Sequence, residues 1–267
     1  MAISATFRGG LGNVLFVTAA LEYLGKRFGY KTVYPNIKEH LDFLNGDFYN
    51  YNLYPYELPK IFKNFDWHIN KKIKHKIDQV RRLPFTYSHI MEVEDNTHFI
   101  SYFQSEEYWG GEKDFVQQLL EPSDFVLGQL EEYMHLFDEV TCCVHVRRGD
   151  YLNHPDIYHP VGVDYIERAI KEFECHEIKK YLVFSDDLDW CRANLKGHDF
   201  LFMSTGKDYL DMFLMSLCEQ KIISNSTFSW WAAYLSPKGG EVIAPKDWIA
   251  DSEIDDSHVC PWYWKRF

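Results

Sequence analysis

Residues 140–150 read VTCCVHVRRGD, a nearly unbroken apolar run that ends in two arginines, a glycine and an aspartate. Such a run is typical of a parallel strand that is covered on both faces. It opens a series of alternating strands and amphipathic helices. The series predicts strands at residues 140–146, 181–184, 200–203, 221–224 and 241–244, and helices at 164–173 (capped by Asp164), near Trp190, at 209–219 and at 229–235. This alternation predicts an α/β fold with a doubly wound, Rossmann-like sheet that binds ligands at the carboxyl ends of its strands.

The amino-terminal region contains another strand, turn and helix. A strand is predicted at residues 3–7, a turn at Gly9-Gly10-Leu11-Gly12-Asn13, a helix that ends at Gly29, and a strand at 32–34. The glycines let the start of the helix approach a ligand, and the Asn13 side chain offers both a donor and an acceptor. Residues 36–135 show a weaker pattern, with helical patches at 114–120 and 125–137.

Composition and charge restrict the classes of function. The chain has 267 residues, and 28 Lys and Arg against 40 Asp and Glu give a net charge of −12. Wrapping nucleic acid needs a basic surface, so we expect no nucleic acid partner. The six cysteines show neither a C-x-x-C pair nor zinc-finger spacing, and we expect free thiols. No apolar run is long enough for a membrane span or a signal peptide, so we expect a cytoplasmic protein.

Two arginines follow the strand at 140–146 and are expected to differ in role. Strand alternation places His145 and Arg147 on one side and Arg148 on the other. A guanidinium at the mouth of a parallel sheet can hold a phosphate or diphosphate through two charge-assisted hydrogen bonds. We expect Arg147 to do this, with a structural pair to an aspartate as its alternative. For Arg148 we expect the structural pair, with Asp150 or with a neighbouring loop.

Two further polar loops follow predicted strands. Residues 224–231 read SNSTFSWW, and hydroxyls beside the free N–H groups of a helix start form an anion site, which we expect to hold a second phosphate. Trp230 and Trp231 are expected in the core. Residues 185–189 read SDDLD, whose carboxylates either cap the next helix, bind a base or ribose, or hold a divalent metal. The metal is the least favoured because Arg147 already supplies positive charge.

Together these segments resemble the α-1,2-fucosyltransferases of glycosyltransferase family eleven. The resemblance is carried by GGLGN, YFQSEEYW, HVRRGDY, FSDD, DMFLMSLC and ISNSTFSWWAAYL, in order over residues 9 to about 248. It implies a GT-B architecture of two Rossmann-like lobes with a cleft between them, residues 1–138 on the acceptor side and 139–267 on the donor side. It also implies inverting transfer of L-fucose from GDP-fucose to the 2-hydroxyl of a terminal galactoside, free or lipid-linked, without a cofactor or divalent metal.

The resemblance also implies roles for residues. Arg147 is expected to hold the diphosphate and stabilise departing GDP, and His145 to face the guanine or the sugar. Asp186 or Asp187 is expected to contact the base or ribose. Further donor contacts are expected from Gly10, Gly12, Asn13, Asn225, Ser226, Thr227, Phe228 and Ser229. One departure is Val14, which stands where the family usually has Gln.

The acceptor hydroxyl must also lose a proton. The candidates for its general base are Asp150, His154, Asp156 and Glu106, which the sequence does not rank. The residues predicted to be catalytic are Arg147, Asp150 and Glu106. Acceptor contacts are expected from Gln104, Glu106 and His154. The rings of Tyr102, Phe103, Tyr108 and Trp109 either face a sugar or fill the lobe interface.

Residues 60–82 form a basic segment, with eight Lys and Arg against two Asp. The segment either contacts anionic lipid at the inner face of the membrane, near a lipid-linked acceptor, or forms a solvated helix face. Two other functions stay open. One is transfer of a different sugar or to a different hydroxyl, and the other is carbohydrate binding without catalysis.

Overall fold

The computed structural model of the chain describes residues 1–34, 54–65 and 85–267. It divides into two compact units. Unit 1 comprises Met1–Asp124 and Ser257–Val259, and unit 2 comprises Phe125–Asp256 and Cys260–Phe267. This division describes packing, and the predicted assignment of residues 1–138 to the acceptor and 139–267 to the donor stays a prediction.

Unit 1 is built on a parallel sheet of three strands. Strand β1 (Ala2–Ala5) lies between β2 (Lys31–Val33) and β3 (His98–Phe99). Helix α1 (Leu11–Phe28) joins β1 to β2, and the unit also holds α2 (Tyr54–Ile61), a 3-10 turn at Glu106–Trp109 and α3 (Lys113–Leu119). The apolar residues of α1 are buried except Phe28, which is half-buried, and the helix ends at Gly29 with φ of 70°, as the sequence predicts. It begins within the glycine turn, so Gly12 and Asn13 belong to its first turn.

Unit 2 is built on a parallel sheet of six strands. These are β4 (Thr141–Val146), β5 (Lys180–Ser185), β6 (Phe200–Met203), β7 (Gln220–Ile222), β8 (Val242–Ala244) and β9 (Lys265–Arg266). The helices are α4 (Asp124–Leu130), which starts at the junction of the units, α5 (Val163–Glu172), α6 (Leu188–Asn194), α7 (Asp208–Leu217) and α8 (Thr227–Tyr234). The strand order is β6-β5-β4-β7-β8-β9. The chain therefore winds outward from β4 to β6 and then reverses, starting again at β7, which confirms the predicted doubly wound sheet.

The core of unit 2 explains why β4 is so apolar. Alternate residues Cys142, Val144 and Val146 pack in one cluster with Ile166 and Ala169 of α5, and all five are fully buried. Because neighbours in a strand point to opposite faces, His145 is directed away from this cluster. All six cysteines are free thiols, as predicted. Trp230 and Trp231 are fully buried, which confirms their prediction as core residues.

Three local predictions for unit 2 need correction. Strand β9 was missed because two charged residues at a sheet edge give no alternation of polar and apolar positions. Asp164 does not cap α5, since Gly162 precedes the helix and Asp164 lies in its first turn, where its charge complements the helix dipole. The helical patch at 125–137 is α4 followed by a 3-10 segment, Glu131–Phe137. Within the described ranges, no helix has the length and apolar character needed to cross a membrane.

Candidate functional site

The loops at one edge of the unit 2 sheet hold the predicted donor residues of that unit. Strand β4 has β5 on one side and β7 on the other, so the loop after β4 lies between those that follow β5 and β7. The strand order reverses between β4 and β7. Ligands of doubly wound sheets bind at the carboxyl ends of the strands at such a reversal.

The guanidinium of Arg147 lies between two carboxylates. Its Nη2 is 2.6 Å from Oδ1 of Asp150, and its Nη1 is 3.0 Å from Oδ2 of Asp186. The side chain is 35% exposed, so its charge is accessible at this edge. Arg147 therefore pairs with two aspartates, which was the alternative to a phosphate role. Its side chain nevertheless stays partly exposed to solvent.

Arg148 is the more buried of the two arginines. Its Nε donates to Oδ2 of Asp187 at 3.2 Å, and its guanidinium lies 4.0 Å from the centre of the Trp190 ring. The side chain is 18% exposed. The structure thus contains the predicted structural pair, and the partner is the aspartate of a neighbouring loop rather than Asp150.

The loop after β5 uses its carboxylates in different ways. Oδ1 of Asp187 accepts the N–H of Trp190 at 3.0 Å, which is the cap of α6 that the sequence included among its alternatives. Asp189 is almost fully exposed and pairs with Arg192 at 3.2 Å. Oδ1 of Asp186 accepts the N–H of Arg148 at 2.9 Å. Across the described residues, no three side chains of metal-ligating type gather into one cluster.

His145 is buried beside the loop that follows β7. Its Nδ1 lies 2.7 Å from Oγ of Ser224, and its ring centre is 5.5 Å from that of Phe228. Burial, assisted by the positive charge of Arg147, lowers the pKa of His145 from 6.5 to about 3. The imidazole is therefore neutral at pH 7.

The loop after β7 presents backbone N–H groups rather than all of its predicted side chains. The first N–H groups of α8, at residues 227–229, have no acceptor inside the helix. Oγ of Ser229 is buried and contacts the carbonyls of Ser224 and Ser226 at 3.3 and 3.2 Å, so this hydroxyl shapes the turn. The hydroxyl of Ser226 makes no cap bond, and Thr227 and Phe228 are half-buried.

Asn225 points inward, contrary to the expectation of a donor contact from its side chain. Its Nδ2 donates to the carbonyl of Trp248 at 3.1 Å, and its Oδ1 is buried without a partner in the described part of the chain. The hydroxyl of Tyr151 donates to the carbonyl of Asn225 at 2.9 Å, and the Tyr151 ring stacks on that of Tyr158 at 4.0 Å. Tyr151 thereby links the loops after β4 and β7, a role that its place in HVRRGDY did not reveal.

Unit 1 brings together two residues that the sequence treated separately. Nε2 of Gln104 donates to Oδ1 of Asn13 at 2.8 Å. Gly9 has φ of 77°, and a Cβ at this position would lie 2.4 Å from Nδ2 of Asn13. Gln104 is buried, and within the described ranges its Oε1 has no partner. The preceding residue, Phe103, has φ of 52°, a strained value for a bulky side chain.

The remaining predicted residues are divided between the two units. Glu106 starts a 3-10 turn in unit 1 and is half-buried, whereas His154 and Asp156 are exposed in unit 2. Three of the four predicted aromatic faces are buried inside unit 1 and form part of its core. They are Phe103 and Tyr108, with ring centres 4.9 Å apart, and Trp109, 6.0 Å from Phe16. Tyr102 is half-buried.

Only part of the basic segment lies within the described residues. Lys63 pairs with Glu121 at 3.2 Å on the surface of unit 1. The basic residues after position 65 lie outside the described residues: Lys71, Lys72, Lys74, Lys76, Arg81 and Arg82.

Residues 4–264 match the family model of Glycosyl transferase family 11. The chain belongs to glycosyl transferase family 11. This transferase is 26% identical to the O-antigen biosynthesis glycosyltransferase WbnK of Escherichia coli, over 95% of its own length and 97% of that protein. It is 32% identical to an α-1,2-colitosyltransferase of Escherichia coli, over 63% of its length and 61% of that protein.

A third relative is the galactoside α-(1,2)-fucosyltransferase 1 of Leontopithecus chrysomelas. The transferase is 36% identical to it, over 43% of its own length and 32% of that protein. The chain thus spans nearly all of WbnK but less than two thirds of the other two relatives.

The fold is similar to that of the α-1,6-fucosyltransferase NodZ from Bradyrhizobium, in a crystal soaked with GDP-fucose. The TM-score is 0.54 with 13% identity, and the match covers 88% of this chain and 93% of that one. This likeness, with a parallel sheet in each unit, confirms the predicted GT-B type of α/β fold.

Proposed function

We propose that the chain transfers L-fucose from GDP-fucose to the 2-hydroxyl of a terminal galactoside, with inversion at the transferred carbon. The observation that carries this proposal is the accessible guanidinium of Arg147, on the loop next to the start of α8, where the strand order reverses. The known linkages of two relatives, an α-1,2-colitosyltransferase and a galactoside α-(1,2)-fucosyltransferase, support an α-1,2 linkage, and the ligand of NodZ supports the donor.

The proposed mechanism follows from the charge that develops as GDP departs. The bond between the fucose C1 and a phosphate oxygen breaks, and negative charge grows on the diphosphate. A fixed cation and oriented N–H groups stabilise that charge in the transition state. In this chain Arg147 supplies the cation, and residues 227–229 supply N–H groups.

The acceptor oxygen attacks C1 from the side opposite the diphosphate, and a carboxylate takes the proton of the hydroxyl. His145 is unsuited to this because its ring is buried and its Nδ1 is engaged with Oγ of Ser224 at 2.7 Å. Asp150, which is 61% exposed, and Glu106 are the proposed bases. The proposed acceptor contacts are Gln104, Glu106 and His154.

We also propose that transfer needs no divalent metal. Both carboxylate oxygens of Asp187 are engaged, one by the N–H of Trp190 and one by Arg148, and Asp189 pairs with Arg192. The positive charge beside the diphosphate therefore comes from Arg147. Turnover is expected to be unchanged in excess EDTA, and a loss that Mg²⁺ or Mn²⁺ restores would contradict the proposal.

The test of the function is GDP release from GDP-fucose with lactose and with both galactosyl N-acetylglucosamine isomers, followed by linkage analysis of the product. We expect an α-1,2-linked fucose. A product with another linkage overturns the assignment. Tight binding of GDP-fucose without GDP release from any galactoside would instead indicate a carbohydrate-binding protein.

A colitosyl donor is the second candidate, because of the identity to the α-1,2-colitosyltransferase. Colitose has one hydroxyl fewer than fucose. If the site forms a hydrogen bond to the hydroxyl that colitose lacks, kcat/KM for the colitosyl donor should be lower by a factor on the order of 10⁴. Comparing kcat/KM for the two nucleotide sugars separates the candidates.

We propose a cytoplasmic location for the enzyme. Whether residues 60–82 bind anionic lipid is tested by liposome flotation with and without charge reversal at Lys71, Lys72, Lys74 and Lys76. Unchanged flotation after charge reversal would exclude membrane contact through this segment.

A further inference from the structure

We propose that the two terminal nitrogens of Arg147 have separate tasks. Asp186 holds Nη1 and positions the guanidinium, whereas Asp150 occupies Nη2 only until a phosphate oxygen of the nucleotide replaces it. The inference rests on the proposed function, since it concerns how Arg147 receives the diphosphate.

Asp186 is held in place from several directions. Its Oδ2 is 3.0 Å from Nη1 of Arg147, and its Oδ1 accepts the N–H of Arg148 at 2.9 Å. The backbone of Gly149 lies against the same carboxylate, because a Cβ on Gly149 would be 2.4 Å from Oδ2. Asp186 is 25% exposed. These contacts make Asp186 a fixed support for the guanidinium.

Asp150 is held less firmly. Its side chain is 61% exposed, and its Oδ1 pairs with Nη2 of Arg147 at 2.6 Å. Ion pairs with such exposure change an equilibrium by only about one- to fivefold. A phosphate oxygen needs the same N–H donors and carries the same sign of charge as Asp150, so the two anions compete for Nη2. The diphosphate therefore replaces Asp150, while Asp186 keeps its contact.

The two aspartates are then expected to respond differently to removal of their charge. In Asp150→Asn the competing anion is lost, and GDP should bind about two- to fivefold more tightly. Guanosine has no phosphate, so its affinity should not change. In Asp186→Asn the guanidinium loses its support, and kcat should fall about 10²-fold, as expected for a misplacement of about 1 Å. GDP affinity should not fall in that variant.

Two further variants complete the experiment. Gly149→Ala pushes the Asp186 carboxylate away without removing it, and it should reproduce the loss in kcat. Asp189→Asn removes a carboxylate from the first turn of α6, three residues after Asp186, that pairs with Arg192 rather than Arg147, and it should leave both GDP affinity and kcat within about twofold of wild type. Thermal unfolding of each variant shows that it is folded.

The outcomes separate this inference from the proposed function. If GDP does not bind to the wild-type chain, the proposed function fails. If GDP binds, but Asp150→Asn binds it no more tightly or binds guanosine more tightly by the same factor, the exchange of anions is wrong. Unchanged kcat in folded Asp186→Asn or folded Gly149→Ala overturns the positioning role of Asp186.

Discussion

Arg147 and Arg148 are adjacent in the chain but meet different surroundings. Arg147 is 35% exposed between Asp150 and Asp186. Arg148 is 18% exposed, pairs with Asp187 and stacks on Trp190. Guanidinium groups differ from ammonium groups in both situations, because the planar fork gives two directed hydrogen bonds and a flat face for stacking. Replacement by lysine therefore tests each role while keeping the charge.

At residue 147 we expect lysine to reduce turnover. Arg147→Lys keeps one positive charge but cannot contact two anions through a fork, so kcat should fall about 10²–10³-fold. The melting temperature should hardly change, because the side chain lies at the surface. Steady-state GDP release measures the effect. Arg192→Lys on α6, an exposed arginine paired with Asp189, is the matched control and should retain full activity. Full activity in Arg147→Lys would disprove the catalytic role.

At residue 148 we expect lysine to reduce stability instead. Arg148→Lys loses the directed Nε bond to Asp187 and the stacking on Trp190, at a cost of about 1–2 kcal/mol. For a chain of this size the melting temperature should fall by about 2–8 °C. Differential scanning calorimetry gives the value, and an unchanged melting temperature would show that the pair contributes nothing.

Among the elements, the start of α1 depends most on a single position. Gly9 has φ of 77° and lies against the amide of Asn13, which accepts a hydrogen bond from Gln104. A side chain at position 9 is therefore unfavourable for two reasons. It strains the backbone, and it displaces Asn13 from Gln104.

These two effects can be separated with a second glycine. Gly111 has φ of 75°, but a Cβ there would have no neighbour within 4 Å, so Gly111→Ala costs only the backbone strain of about 1–2 kcal/mol. Gly9→Ala should cost about 1 kcal/mol more, for the lost hydrogen bond. Only Gly9→Ala should raise KM for the acceptor. Equal losses of unfolding free energy in urea titrations would contradict the close contact with Asn13.

For the whole molecule, the proposed donor site is assembled by strand order. The N–H of Arg148 and the carboxylate of Asp186 are 38 residues apart in the chain, and the hydroxyl of Tyr151 reaches the carbonyl of Asn225 across 74 residues. These contacts form because β5 and β7 both pair with β4. The site and the fold of unit 2 are therefore expected to be lost together on unfolding.

The pH dependence of global stability tests one consequence of this assembly. The pKa of His145 is about 3 in the folded chain and 6.5 is its ordinary value, so between these values the unfolded chain binds the extra proton. The contribution of neutral His145 to the free energy of unfolding is therefore present above pH 6.5 and is lost as the pH falls toward 3. From pH 7 to pH 5 the loss from this group is about 2 kcal/mol.

Substitution at position 145 isolates that contribution. In His145→Asn the decrease in unfolding free energy from pH 7 to pH 5 should be smaller than in the wild type by about 2 kcal/mol, as measured by urea titration at both values. His154→Asn, which replaces an exposed histidine of the same unit, is the matched control for the loss of an imidazole. The same decrease in His145→Asn as in the wild type would contradict the lowered pKa.

Much of the fold of unit 2 could be predicted from local pattern. The apolar run of β4, the helical spacing in α5 and α7, and the burial of Trp230 depend on which side chains avoid water, and that information is local. The short charged strand β9 carries no such pattern. Individual contacts of the site were harder to predict. The pattern identified the polar loops, but it did not show that the Asn225 side chain points inward or that the Ser229 hydroxyl bonds within the turn.

The amino-acid order by itself determined the alternation of strands and helices, the family and the different roles expected of two neighbouring arginines. Only the tertiary structure decided that Arg147 meets Asp186 and Arg148 meets Asp187, because these two aspartates come from the loop after β5, and that loop reaches β4 only when the two strands pair. Hydrophobic periodicity is a property of a few consecutive residues. Hydrogen bonds between loops depend on the packing of strands far apart in the chain.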